Sequence, residues 1–162
     1  MPIRHATAAD LEALTALEAL CFPAAEAADR TSLARRLAAY PEHFWLLEEH
    51  GTLISFVNGM VTNEPNLTDL MYEDASLHNP AGQWQMIFGV DTHPAWRCRG
   101  YAAQTLCAAI EDTRAAGRAG LVLTCKNHLR PYYAKFGFVE EGISDSTHGG
   151  VQWHQMRLRF AL

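Results

Sequence analysis

The sequence is short of the features that mark several protein classes. It has no apolar run long enough to span a bilayer and no charged-then-apolar opening of a secretory leader. It also has no internal repeat, low-complexity tract or linker that would divide it. No membrane partner is expected, and the expected compartment is the cytoplasm. Cysteine is scarce, at four residues: Cys21, Cys98, Cys107 and Cys125. No two make a C-x-x-C and no matching histidine pair stands near them, so neither a disulfide framework nor a metal site is expected. They read as buried free thiols. Positive charge is also short, with 13 Lys and Arg against 18 Asp and Glu and a net charge of −5. That balance excludes a general nucleic-acid binder. No strand is followed by G-x-G-x-x-G or a Walker lysine, which argues against a nucleotide site of those kinds.

What is present suits a single α/β domain over 1–162. The chain has 162 residues, of which 49% are hydrophobic, enough for one core. Ile3 to Ala6 reads as a strand, and T-A-A-D from Thr7 as a capping-box start. Leu11, Leu14, Leu17 and Cys21 follow at helical spacing. Asp29 or Thr31 caps a second helix. Residues 43–49 and 52–61 read as a hairpin turning at His50-Gly51. A polar loop of about twenty residues follows; it carries Glu64, Asp69, Glu73 and Asp74 beside Leu70, Met71 and Tyr72. Residues 84–91 are apolar on both alternating faces, the mark of a central strand. A helix over 101–116, a strand over 121–125, a short helix near 128–136 and strands over 138–143 and 151–160 complete the order.

The strand ending at Asp91 runs through a loop directly into the 101–116 helix. The unpaired N–H groups and dipole of a helix start make an anion site. Gly100 and Ala102 let a phosphate approach the backbone, and Arg97 and Arg99 add charge.

Arg97-Cys98-Arg99-Gly100-Tyr101-Ala102 matches the [RQ]-x-x-G-x-[GA] signature of the GCN5-related N-acetyltransferase (GNAT) superfamily, with His93-Pro94 at the expected turn. Pro131-Tyr132-Tyr133-Ala134-Lys135-Phe136-Gly137-Phe138 matches its second, aromatic-to-GF signature. The chain therefore resembles that superfamily, and P-Y-Y-x-K-x-G-F with Ser146-Thr147-His148-Gly149-Gly150 looks like its arylalkylamine (serotonin-type) branch and bacterial relatives. The resemblance implies a mixed sheet flanked by helices and splayed between the fourth and fifth strands. It implies acetyl-CoA as co-substrate, with Phe88, Gly89 and Val90 along the pantetheine. Arg97, Cys98, Arg99, Gly100, Tyr101 and Ala102 would hold the pyrophosphate, and Asn127 and Tyr133 complete the cofactor set. The implied partner is a small-molecule amine, without nucleic acid; a homodimer is left open.

Acyl transfer to an alkylamine needs the neutral nitrogen, although such amines have pKa values of about 10. It also needs a donor at the developing oxyanion, for which the Val90 N–H is the candidate. Tyr133 holds the family's general-acid position; the alternative is a packed core tyrosine. The two histidines of the serotonin-type enzymes are replaced by Met86 and Phe88. The base is thus open among His148, Asp91 and Glu26, or a water relay, and the arylalkylamine substrate is open with it. An imidazole suits proton transfer near neutrality. Phe22, Glu26 and Trp153 are candidate substrate contacts. A protein or peptide N-acetyltransferase and a non-catalytic acyl-CoA sensor are the competing readings.

Overall fold

The computed structural model describes residues 3–161. In chain order its elements are β1 (Ile3–His5), α1 (Leu11–Cys21), α2 (Arg30–Ala39), β2 (Phe44–Glu49), β3 (Thr52–Asn58), β4 (Val61–Thr62), α3 (Asp69–Glu73), β5 (Trp84–Ile87), β6 (Gly89–Thr92), α4 (Tyr101–Ala115), β7 (Gly120–Cys125), α5 (Arg130–Ala134), β8 (Val139–Ile143) and β9 (His154–Arg159). The class is mixed α/β, as expected. Among the described residues no helix is long and apolar enough to cross a membrane. Packing groups the chain into two compact units.

The first unit holds the residues up to Gly59 and Gly89–Ala109. Its sheet is antiparallel, in the order β1-β2-β3-β6. The β2–β3 hairpin turns at His50 and Gly51, both with positive φ (51° and 79°), the conformation that a two-residue turn of this hand requires. Helix α1 begins after a capping box in which Asp10 accepts the Thr7 N–H at 2.8 Å. It turns Leu14 and Leu17 inward. Of the two proposed caps for α2, Asp29 is the one used; its carboxylate accepts the Ser32 N–H at 2.8 Å. Leu33, Leu37, Tyr40, Phe44 and Phe56 are buried in the same unit, and apolar burial of this kind is the main stabilising term.

The second unit holds Met60–Phe88 and the chain from Ile110 onward. Its sheet runs β4-β5-β7-β9-β8, with β5 and β7 parallel and the other neighbours antiparallel. Two expected strands are each divided. The 52–61 run breaks after Asn58: the Gly59 N–H bonds back to the His43 carbonyl, whereas the Met60 carbonyl accepts the Met86 N–H at 2.8 Å. The 84–91 run breaks at Phe88. Its first half pairs with β7 as far as Ile87 against Leu123, and its second half pairs with β3 from Gly89 against Asn58. Alternation alone could not reveal this break, because Gln85, Met86 and Ile87 and then Asp91 and Thr92 are all buried. Gln85 is tolerated there because its amide donates to the Met60 and Met86 carbonyls.

The polar loop after β4 contains α3, a helix of five residues that its length concealed. The cysteine expectation also changes. All four are free, but only Cys125 is buried, Cys21 is half-buried, and Cys98 and Cys107 are exposed. Cys107 lies one residue past Leu106, off the stripe of Leu106, Ala109, Ile110 and Thr113 that α4 buries.

Candidate functional site

In the first unit, β6 lies at the end of its sheet with only β3 beside it. The His93 N–H donates to Ile54 on β3 at 2.8 Å. The Thr92 carbonyl turns the other way, accepting from Cys21 Sγ at 3.3 Å and Arg97 Nε at 3.1 Å. Backbone groups alternate in an antiparallel strand. The N–H and C=O of Val90 therefore share the side of Thr92, along the edge that β3 does not use.

Beyond His93, which caps a 3-10 turn through Nδ1 to the Ala95 N–H, the chain enters the Arg97–Ala102 segment. Cys98 has φ 63° and Gly100 φ 82°. The two left-handed residues, with Arg99 between them, turn the backbone sharply just ahead of α4, and turns are one setting in which successive N–H groups gather toward an anion. A non-glycine residue in that region costs energy. Nothing lies within 4 Å of where a Gly100 side chain would begin. Gly100 then starts α4, its carbonyl accepting the Gln104 N–H at 3.1 Å. Arg97, Cys98 and Arg99 are exposed. The Arg99 guanidinium lies 5.2 Å over the Trp96 ring. Trp96 in turn meets Tyr101 edge-on at 5.9 Å, and the Tyr101 hydroxyl donates to Glu49 at 3.3 Å. Ala102 is half-buried.

Beneath β6 lies a group that the sequence did not announce. Asp91 is fully buried and Glu18 of α1 is 6% exposed. Burial, foremost, and the Glu18 carboxylate beside it push the Asp91 carboxyl well above its usual range; Cys21 adds to this and Arg36 opposes it. Glu18 Oε2 accepts the Ala28 N–H at 2.9 Å, tying the α1–α2 loop to the helix. Arg36 is buried and donates to Asn58 at 3.1 Å. A Cβ on Gly89 would stand 2.9 Å from Asp91 Oδ1, so the glycine makes room for the acid. Glu18 falls on the buried stripe of α1 with Leu14 and Leu17, and an acid at such a position was the available signal. In the adjoining loop Phe22 closes α1 and is half-buried, as is Glu26, whose N–H bonds to the Pro23 carbonyl.

In the second unit, Tyr133 sits on α5 and is buried, edge-on to Tyr132 at 5.2 Å and Phe138 at 6.2 Å. Asn127 is exposed and accepts from Arg130 Nε at 2.8 Å. Phe88, Tyr72, His148 and Trp153 form a continuous run of rings. Tyr72 meets Phe88 at 4.6 Å and lies parallel to His148 at 5.3 Å and 3°. Trp153 lies 6.2 Å from His148 and donates its indole N–H to the His148 carbonyl at 2.8 Å. A cavity of about 620 Å³ is bordered by residues 66–69 and 141–146. Asp69, Glu141 and Asp145 line it, as does the buried Arg157. Arg157 bonds Glu141 at 2.9 Å and holds that carboxylate below its usual range. Of the sequence-selected residues, then, the first unit gathers Gly89, Val90, Asp91 and the 97–102 turn, and the second gathers Phe88, His148 and Trp153.

The acetyltransferase (GNAT) family model matches residues 11–138. The chain belongs to this family. Among curated proteins, this GNAT chain is 29% identical over 112 residues to the serotonin N-acetyltransferase of Mesocricetus auratus, a match covering 67% of the chain. It spans about half, 52%, of that relative's length. Among solved structures it is similar to the GNAT-like decarboxylase GphF in complex with isobutyryl-CoA, with a TM-score of 0.80, 24% identity and coverage of 98% and 99% of the two chains. The loading GNATL domain of CurA from Lyngbya majuscula gives 0.84 at 16% identity, covering 98% and 96%. The ribosomal-protein-S18-alanine N-acetyltransferase of Escherichia coli gives 0.74 at 17%, covering 99% and 94%. At these identities the structural likenesses speak to the fold.

Proposed function

We propose that this chain, as one domain over 1–162, transfers an acetyl group from acetyl-CoA to the primary amine of a small molecule by direct attack. The observation that carries the reading is the Arg97–Ala102 turn. Its positive φ at Cys98 and Gly100, its open flank at Gly100 and its exposed arginines fit a diphosphate group, and α4 begins directly after it. The co-substrate supplies an activated acetyl thioester. Phe88, Gly89 and Val90 offer backbone to its pantetheine arm as an added strand would, and the Val90 N–H, turned to the unpaired edge of β6, is the donor for the oxyanion.

Tyr133 is the general acid for the departing thiolate. His148 is the base that takes the ammonium proton. Asp91, fully buried beside Glu18, is the second candidate for that base, and Glu26 stays a substrate contact beside Phe22. Trp153 walls the acceptor side. The acids lining the 620 Å³ cavity favour a cationic acceptor. The chain works in the cytoplasm.

The test is release of free thiol from acetyl-CoA across a panel of arylalkylamines, polyamines, amino sugars and N-terminal peptides. The reading expects release with at least one small amine and acetylation of that amine. Release with peptides alone would move the function to a peptide N-acetyltransferase. CoA binding with no thiol release from any acceptor would point to a sensor and overturn the enzyme reading.

A further inference from the structure

Helix α3 is the element that the acetyl-transfer chemistry leaves unused, yet it reaches the His148 segment at several points. Asp69 is its first residue and Tyr72 follows three positions later, so both project from one face. The Asp69 carboxylate takes a short hydrogen bond from the Ser146 hydroxyl on Oδ1 and accepts the Thr147 N–H on Oδ2 at 3.1 Å. The same Ser146 hydroxyl oxygen accepts the His148 N–H at 3.3 Å. Tyr72 lies flat against the imidazole, 5.3 Å between centroids and 3° between planes. The Trp153 indole N–H donates to the His148 carbonyl at 2.8 Å. Gly149 and Gly150 follow, both at positive φ, and a segment of that composition has little rigidity of its own.

We infer that Asp69 and Tyr72 are positioning residues that hold the 146–148 segment and the His148 ring in the orientation needed for proton transfer. The inference rests on the reading of His148 as the base. Asp69 fixes the Ser146 side chain and the Thr147 main chain through charge-assisted hydrogen bonds. Tyr72 limits the rotation of the ring by stacking, a geometry that favours offset or parallel aromatic partners. One short helix thereby supplies two independent restraints, one on the main chain and one on the side chain, to a residue about eighty positions away in sequence.

The test uses the full chain, acetyl-CoA and the panel amine that turns over fastest, alongside ligand-free NMR of the histidine ring protons. His148→Ala should lower kcat by about a hundredfold or more, as loss of a general base does. Asp69→Ala should lower kcat by about tenfold, the scale of a modest misplacement of a catalytic group, with KM for acetyl-CoA unchanged. Asp69→Asn, which keeps one acceptor for the Thr147 N–H, should recover part of the loss. Tyr72→Phe should keep the native rate and Tyr72→Leu should not. In the spectrum, the His148 ring protons should be shifted upfield by the phenol in the native chain and in Tyr72→Phe, but not in Tyr72→Leu. Full activity of His148→Ala would remove the base assignment and this inference together. An inactive His148→Ala beside fully active Asp69→Ala and Tyr72→Leu would overturn the inference alone, as would a native His148 signal without the upfield shift.

Discussion

Asp91 shows how one buried acid records its surroundings in a measurable way. It has no solvent exposure, and Glu18, Cys21 and Arg36 are the groups that act on it. Its folded-state pKa is raised, so the stability it supports is complete below the unfolded value of about 4 and is lost as pH rises toward the folded value. Asp91→Asn keeps the shape and removes the proton. The native chain should therefore lose stability relative to this variant as pH is raised from about 5 to about 8, a window chosen above the unfolded carboxyl pKa. Urea unfolding of both chains at the two pH values measures this, and identical pH dependence would contradict it. Cys125 is a quieter case: burial pushes its thiol up to about 11, so alkylation at neutral pH should spare it and label the exposed Cys98 and Cys107 first. The acid at position 91 was visible in the sequence as a candidate base, but its burial was not. Its environment comes from α1, seventy residues earlier, and no local pattern encodes that meeting.

At the scale of elements, two glycines make opposite demands. Gly100 has φ 82° and open space around it. An alanine there meets no neighbour and suffers only from the left-handed conformation, about 1–2 kcal/mol. If that strain is relieved by opening the turn, CoA should bind roughly tenfold more weakly to Gly100→Ala, the ratio that corresponds to such an energy, as read by calorimetry. An unchanged Kd would show that the turn does not grip the cofactor. Gly120, at the start of β7, has no such φ, but a Cβ there would stand 1.9 Å from the Leu158 carbonyl oxygen on β9. Gly120→Ala must push the β7–β9 pair apart and should cost about 3 kcal/mol or more, the upper end for overpacking, seen as a large fall in Tm. A Tm within a degree or so of the native value would contradict the close approach. The turn was legible because its residues, R-x-x-G-x-A after a strand, carry their chemistry in order. The Gly120 constraint was not, because it depends on which strand lies alongside.

Across the whole molecule, the helices, the hairpin and the order of elements follow from local signals. Asp29 caps where an aspartate should, and His50-Gly51 turns where that pair allows. What the sequence conceals is where pairing changes partner. The 52–61 and 84–91 runs each read as one strand: Gly59 is as buried as its neighbours, and the half-buried Phe88, Gly89 and Val90 lie between buried residues on both sides. Burial is the same on both sides while the hydrogen-bond partner differs, and hydrophobic pattern reports only the former. α3 was hidden for another reason: five residues give too few turns for a periodic signal, and its importance lies in what Asp69 and Tyr72 hold.

Family membership rests on a match to most of the chain, whereas the proposed chemistry rests on Tyr133 as the general acid. The most direct measurement compares the native chain and Tyr133→Phe in two readings, CoA binding by calorimetry and amine-dependent thiol release from acetyl-CoA. The account predicts equal binding and a fall in turnover of about a hundredfold or more, the scale of a lost general acid. Equal turnover in the two chains, or binding lost together with turnover, would contradict it.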